Sequence, residues 1–284
     1  MNRNFVRSLL YTPGDHPEMM RKAVDSEADA CIFDLEDAIP KSRQNEARQN
    51  IREIASEVDF GSTQLYVRIE KPDTEYWLED LETAITAGAD AVSVPKVEST
   101  YDVHSVTEFA KQKTADPPNF RISLETPEGV YSGAEISRFC KDIPSVTGIG
   151  FGSADYCRAI GTPEINDDVK EFMAHVFIGY AALGDMDAYA SGTFEVDNLD
   201  RLRALLEQQR ELGYVGATCI HPKQVPVIND VFTPDEDEYR QAKKLVEAYE
   251  DAPENSLMVD DVFLDEATAK RYKGLVERYE RAVE

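Results

Sequence analysis

Positive charge is scarce in this sequence: Lys and Arg number 30 against 55 Asp and Glu in 284 residues, a formal net charge of −25. Such a balance argues against a nucleic-acid partner, because neutralising phosphates requires Lys and Arg gathered on one face. Cysteine is equally sparse. Cys31, Cys140, Cys157 and Cys219 lie far apart, with no CxxC pair and no His at zinc-finger spacing, so they read as reduced, mostly buried small hydrophobes. No run approaches the ~20 apolar residues of a membrane span, and the apolar stretch before Pro13 is too short for a signal peptide. These absences predict a cytoplasmic protein with no membrane partner. There is also no low-complexity segment.

What is present is a foldable chain. Hydrophobic residues make up 42%, and the acids are scattered through periodic segments instead of forming one tail, which describes a folded protein with an acidic skin. Concentrated salt screens charges within a few Å and removes the self-repulsion of such a surface, so a halophilic source is expected.

Short apolar runs recur, each followed by a turn and a segment of helical period. They predict strands over 8–11, 30–34, 65–69, 91–94, 121–125, 146–151, 186–189 and 215–220. Runs such as Ala30-Cys31-Ile32-Phe33 and Ala91-Val92-Ser93-Val94 are almost wholly apolar, as parallel strands buried on both faces require. Eight βα units favour a closed (β/α)₈ TIM barrel over a doubly wound sheet, and no GxGxxG follows the first strand. The barrel is expected over 1–232, followed by a C-terminal helical extension over 233–284. In that extension Thr233 to Glu236 reads as a capping box with Pro234 at the first helical position. A helix to about Asp251, a linker over 252–261 and a last helix bearing Tyr272, Leu275, Val276 and Tyr279 on one face should follow.

Barrel chemistry sits where the strands end, and these ends are polar. Strand two ends in Asp34-Leu35-Glu36-Asp37, strand three gives Arg68 and Glu70, strand four Lys96, strand five Glu125, strand six Gly150-Phe151-Gly152-Ser153-Ala154-Asp155, and strand eight His221. Carboxylates converging on one rim repel one another unless a hard cation lies among them; Mg²⁺ or Mn²⁺, held by Glu125 and Asp155, suits that position. Acids at helix N-termini are also common caps, so Glu125 and Asp155 have that second reading. Arg68 could fork around a carboxylate or enolate oxygen, or pair with the 34–37 acids. The Gly150 to Ser153 turn has the shape of a phosphate cradle without being specific to one, and His221 reads as a core or supporting histidine. Trp77 and the Tyr residues at 239, 249, 272 and 279 read as packing.

At this point the residues resemble a family. The segments Arg7 to Gly14, Phe33 to Ala38, Val67-Arg68-Ile69, Val94 to Glu98, Glu125 to Val130, Gly150 to Asp155 and Ile220 to Gln224, in this order over nearly the whole chain, are similar to the citrate lyase β-subunit-like family of acyl-CoA lyases. That resemblance implies a barrel of the phosphoenolpyruvate/pyruvate superfamily, a homotrimer or homohexamer, which uses Mg²⁺ to cleave or form a C–C bond in a 3-hydroxyacyl-CoA thioester. It further implies Mg²⁺ on Glu125 and Asp155, the 2-oxo acid on Arg68 with Gly152 and Ser153 beside it, and Asp34, Glu36 and Asp37 around the metal's waters. Met258-Val259-Asp260 resembles a C-terminal segment whose Asp enters a neighbouring subunit's site as acid/base. The expected substrates are malyl-CoA or β-methylmalyl-CoA, giving glyoxylate plus acetyl- or propionyl-CoA; citramalyl-CoA, a citryl thioester and thioester hydrolysis are the alternatives. The chain departs from the family at Glu70, where Asn is usual and the 2-oxo acid pocket is expected to change, and at Asn255-Ser256-Leu257, where a Gly is usual.

Overall fold

The computed structural model describes residues 5–162, 166–252 and 256–283. The chain divides into two compact units, one spanning Val6–Asn229 and the other running from Asp230 onward. The first unit is a closed barrel of eight parallel strands in sequential order. Its strands are β1 (Ser8–Pro13), β2 (Ala30–Asp34), β3 (Gln64–Arg68), β4 (Ala91–Val94), β5 (Asn119–Leu124), β6 (Val146–Phe151), β7 (Asp187–Ser191) and β8 (Gly216–Cys219). Between and after them run α1 (Pro17–Val24), α2 (Gln44–Glu57), α3 (Trp77–Thr86), α4 (Thr100–Lys113), α5 (Pro127–Cys140), α6 (Ser153–Ala159), α7 (Asp167–Gly184), α8 (Leu199–Leu212) and α9 (Val225–Phe232). All eight expected strands form, three with the expected bounds and five with ends shifted by a residue or two.

Every residue of β2 and of β4 is buried, as strands covered by the lumen on one face and helices on the other must be. Leu9, Ala30, Ile32, Tyr66, Ala91 and Tyr189 fill the lumen in one packed cluster. The helices start and stop where local chemistry directs. Ser99 and Asp102 form a capping box on α4, Thr126 caps α5 with Pro127 behind it, and Asn198 caps α8. At the end of α8 Gly213 takes φ +110°, a left-handed conformation that costs a residue without Cβ least.

Register matters for the site. Asp34, Arg68, Ser93 and Arg121 are successive register partners across β2, β3, β4 and β5, so their side chains face the same side of the sheet, into the lumen. Further along β5, Ser123 pairs with Gly150 of β6.

The second unit holds α10 (Glu236–Glu250), the hairpin β9 (Leu257–Val259) with β10 (Val262–Leu264), and α11 (Glu266–Val283). Two expectations need correction here. The cap of α10 is Asp235, which accepts from the Glu238 amide at 2.7 Å while the Glu238 carboxylate accepts from the Asp235 amide at 3.1 Å. A charged oxygen is the better acceptor, so the box lies two residues beyond the Thr233–Glu236 reading. The stretch read as a linker also contains structure: β9 and β10 are antiparallel around Asp260 and Asp261, which take φ of +48° and +62°. Asp tolerates the left-handed region, and two such residues in a row make a type I′ hairpin turn. Pro253 and Asn255 of that expected linker lie outside the described residues. Tyr239 of α10 stacks on Tyr279 of α11 at 4.3 Å, in keeping with the packing role read for these tyrosines. No helix among the described residues is long and apolar enough to cross a membrane.

Candidate active site

A cavity of about 530 Å³ opens at the C-terminal ends of the strands, lined by Asp34, Arg68, Arg121, Glu125, Gly152 and Asp155 among others. All its lining residues belong to the barrel unit. Strand pairing explains the convergence: residues at the strand ends of a barrel point over its mouth whichever strand they come from.

Arg68 is held by Asp34 through two parallel hydrogen bonds, Nε to Oδ1 and Nη2 to Oδ2, each 2.6 Å. Its Nη1 lies 3.0 Å from Glu36 Oε2, and its guanidinium covers the Tyr11 ring at 4.8 Å. Thus both readings of Arg68 meet in one arrangement: it pairs with the acids of the 34–37 segment and still lines the cavity. Burial opposes the charge on Asp34, but Arg68, together with the amides of Glu36 and Ala38, holds its carboxyl below the ordinary value.

Glu125 is buried at the end of β5 and accepts from the Lys96 amide at 2.8 Å. Burial and the nearby Asp155 push its carboxyl above the usual carboxylate range, against the pull of Arg68 and Lys96. It is not a helix cap, since Thr126 performs that task for α5. Asp155 lies in the first turn of α6 without capping it; its carboxylate pairs with Arg158 and stands 3.9 Å from Lys96 Nζ. Gly152 is a spatial necessity here, because a Cβ at that position would fall 1.9 Å from Glu125 Oε2. Gly150 likewise leaves room for Arg121 Nη2, which a Cβ would approach to 2.2 Å. The glycines of the turn read as a possible phosphate cradle are thus accounted for by the side chains that fold against them. Ser153 is buried beside Gly152, and both line the cavity.

Lys96 was legible as a strand-end residue but not for its role. Its backbone is left-handed, at φ +48°, and its ammonium pairs with Glu36, with Asp37 at 3.0 Å and with Asp155. Burial works against that ammonium, yet Glu36 and Asp37 keep it more firmly charged than usual. Burial also pushes Glu36 up to about 8, with Glu125 and Asp37 adding to the rise. Among the described residues no group of three or more His, Cys, Asp or Glu is already arranged around one point as metal ligands.

Two expectations are redirected. His221 is not a core residue: it is half-buried, and its Nδ1 accepts from the Lys223 amide at 3.1 Å to cap a short turn. Glu70 does not line the cavity; it pairs with Lys41 and accepts from Gln44 at 2.9 Å. Asp260 lies in the second unit, exposed at the hairpin turn and paired with Lys244. Among the cavity residues that sequence reasoning missed is a buried arginine. Arg121 sits two inward positions before Glu125 on β5, and the alternation 121, 123, 125 was the signal that could have found it.

Compared with known proteins, the chain matches HpcH/HpaI aldolase/citrate lyase over residues 7–222. The chain belongs to this family. Among the family's relatives, a (3S)-malyl-CoA thioesterase of Cereibacter sphaeroides is 33% identical over 253 residues, 87% of this chain and 84% of that protein. A citrate lyase subunit beta of Leuconostoc mesenteroides is 28% identical, over 88% of this chain and 84% of its own. The protein CitE of Mycobacterium tuberculosis, solved in complex with magnesium, acetoacetate and coenzyme A, superposes with a TM-score of 0.75 at 22% identity, covering 97% of this chain and 98% of that one. That last likeness is one of fold.

Proposed function

We propose that this member of the family is a Mg²⁺-dependent carbon–carbon lyase that reversibly cleaves a 3-hydroxyacyl-CoA thioester into a 2-oxo acid and an acyl-CoA. The observation that carries the reading is the pairing of Glu125 and Asp155, from adjacent βα units, over a cavity that also admits Arg68. Two carboxylates suit Mg²⁺ or Mn²⁺, which keeps several waters, leaves positions for substrate oxygens and needs no set of three protein ligands. When bound, the ion supplies Lewis-acid polarisation of the 2-oxo acid's oxygens.

The chain's own groups do the rest. Arg68, aimed by Asp34, offers N–H donors to the oxygen that carries negative charge in the alkoxide before the C–C bond breaks, and that gains it as the bond forms in the reverse direction. Gly152 and Ser153 border the 2-oxo acid at the head of α6. Asp34, Glu36 and Asp37 would orient the waters of the metal, a supporting role whose loss costs binding and rate. Asp260, by its resemblance to the family's C-terminal acid, would protonate the acyl-CoA enolate in cleavage and remove the α-proton in synthesis, reaching a neighbouring subunit's site in a homotrimer or homohexamer. The extension over 233–284 would serve to carry it there.

The candidate thioesters differ in the group on the 2-oxo carbon. Malyl-CoA and β-methylmalyl-CoA yield glyoxylate, with hydrogen there; citramalyl-CoA yields pyruvate, with methyl; a citryl thioester yields oxaloacetate, with carboxymethyl. The name of the Cereibacter sphaeroides relative supports malyl-CoA as the first of these to try. The test is a purified-enzyme assay at high KCl with Mg²⁺, pairing each 2-oxo acid with acetyl- and propionyl-CoA. A new thioester that forms with Mg²⁺ and not with chelator supports the reading. Free malate and CoA from malyl-CoA, with no glyoxylate, would replace it with thioester hydrolysis.

A further inference from the structure

Beneath the carboxylates of the mouth lies a cation without a counter-ion. Arg121 is 4% exposed, and among the described residues neither its Nε nor its Nη1 has a hydrogen-bond partner. Among the described residues no carboxylate lies within ion-pair distance of it; its guanidinium rests over the ring of Tyr189 at 5.4 Å. Beside it, Ser93, its register partner on β4, also buries an unpartnered hydroxyl. Arg68 also lies over a tyrosine ring, but its fork is filled by Asp34.

Depth decides what Arg121 can reach. Its Nη2 lies against Gly150, the register partner of Ser123, whereas the Glu125 carboxylate lies against Gly152. The two groups are therefore one inward position apart along the barrel, roughly 6–7 Å. Because Arg121 lines the same cavity, a small acid held at the level of Glu125 meets this guanidinium with whatever points down the lumen. A buried charge is costly unless paired, and a planar fork with free N–H groups fits a carboxylate.

We infer that Arg121 reads the substituent on the 2-oxo acid and selects an acidic one. The inference rests on the lyase reading. It moves preference away from glyoxylate and pyruvate, whose hydrogen or methyl leaves the guanidinium unpaired, and toward a 2-oxo acid with a second carboxylate one methylene away. The acyl-CoA thioester formed with it would be a tertiary hydroxy acid carrying that carboxymethyl arm.

Calorimetric titration of the Mg²⁺-loaded protein with glyoxylate, pyruvate and oxaloacetate tests this without turnover. Wild type should bind oxaloacetate about ten- to a hundredfold more tightly than pyruvate, the range expected for a charge-assisted pair. Arg121→Met should erase that advantage while binding pyruvate as wild type does. Gly150→Ala, which crowds Nη2 without altering charge, should shrink it too. A wild type that shows no preference for oxaloacetate overturns the inference whatever the variants do. So does an Arg121→Met protein that unfolds cooperatively yet binds all three acids equally weakly, since Arg121 would then serve the shared carboxylate or the fold. Failure of the lyase reading looks different: no C–C bond forms with any acyl-CoA, whatever the order of binding.

Discussion

Asp34 grips Arg68 with both carboxylate oxygens, and the amides of Glu36 and Ala38 in turn grip Asp34. The orientation of the guanidinium is thus built into the β2 end, before any substrate arrives. Asp34→Asn can keep only one of the two ionic hydrogen bonds, so Arg68 gains freedom to rotate. The expected result is a loss of about ten- to a hundredfold in kcat/KM, as for other residues that orient a functional group, with the KM for the 2-oxo acid rising. Arg68→Lys should be at least as damaging, because a point charge cannot reproduce a planar fork. Unchanged KM in both variants would make the pair purely structural.

Glu125→Gln and Asp155→Asn should each lower Mg²⁺ affinity and activity by more than the roughly ten- to hundredfold typical of groups that only support a metal's ligands. Neither acid caps its helix, so thermal unfolding should change little. Direct Mn²⁺ binding measurements check the point; wild-type affinity in both variants would remove the metal from this site.

Gly152→Ala changes no charge, yet its Cβ would fall 1.9 Å from Glu125 Oε2 and 2.3 Å from Glu125 Cβ. The carboxylate must then turn away from its present position. Metal affinity should drop nearly as far as in Glu125→Gln, and a variant that binds Mn²⁺ normally would show that this carboxylate is free to move.

With a net charge of −25, the surface repels itself over the ~10 Å reach of charges at 0.1 M salt and far less over the ~3 Å reach at 1 M. Both the midpoint of thermal unfolding and the activity should rise steeply with KCl. A protein that stays folded and active after dialysis into low salt would refute the halophilic reading of its composition.

The barrel was legible because its strands carry their own evidence. Ala30 to Phe33 and Ala91 to Val94 are apolar on both faces, and only strands covered on both sides tolerate that. The strand-end acids were legible as a group for the same reason, since any barrel brings them to one rim. Their partners were not. Lys96 reaches Glu36 and Asp37 across sixty and fifty-nine residues of sequence, through a left-handed backbone that a lysine does not announce. Arg121 looked like the start of a strand, and only the closure of the lumen shows that, among the described residues, no carboxylate lies within ion-pair distance of it. The Asp260-Asp261 turn escaped for a related reason: without the usual Gly, nothing in the composition distinguishes a hairpin turn from a linker.

The four cysteines acquire a use that has nothing to do with catalysis. All are buried and free, and burial pushes the thiols of Cys31, Cys140 and Cys219 up to about 12. An alkylating reagent at neutral pH therefore finds almost no thiolate at these three until the surrounding structure opens, and burial alone keeps it from Cys157. These residues are spread through the unit, on β2, at the end of α5, within α6 and on β8. Their labelling rates, compared position by position, would time the opening of separate sectors of the ring. The chain thus carries four clocks of its own unfolding, each started only when its stretch of barrel lets water in.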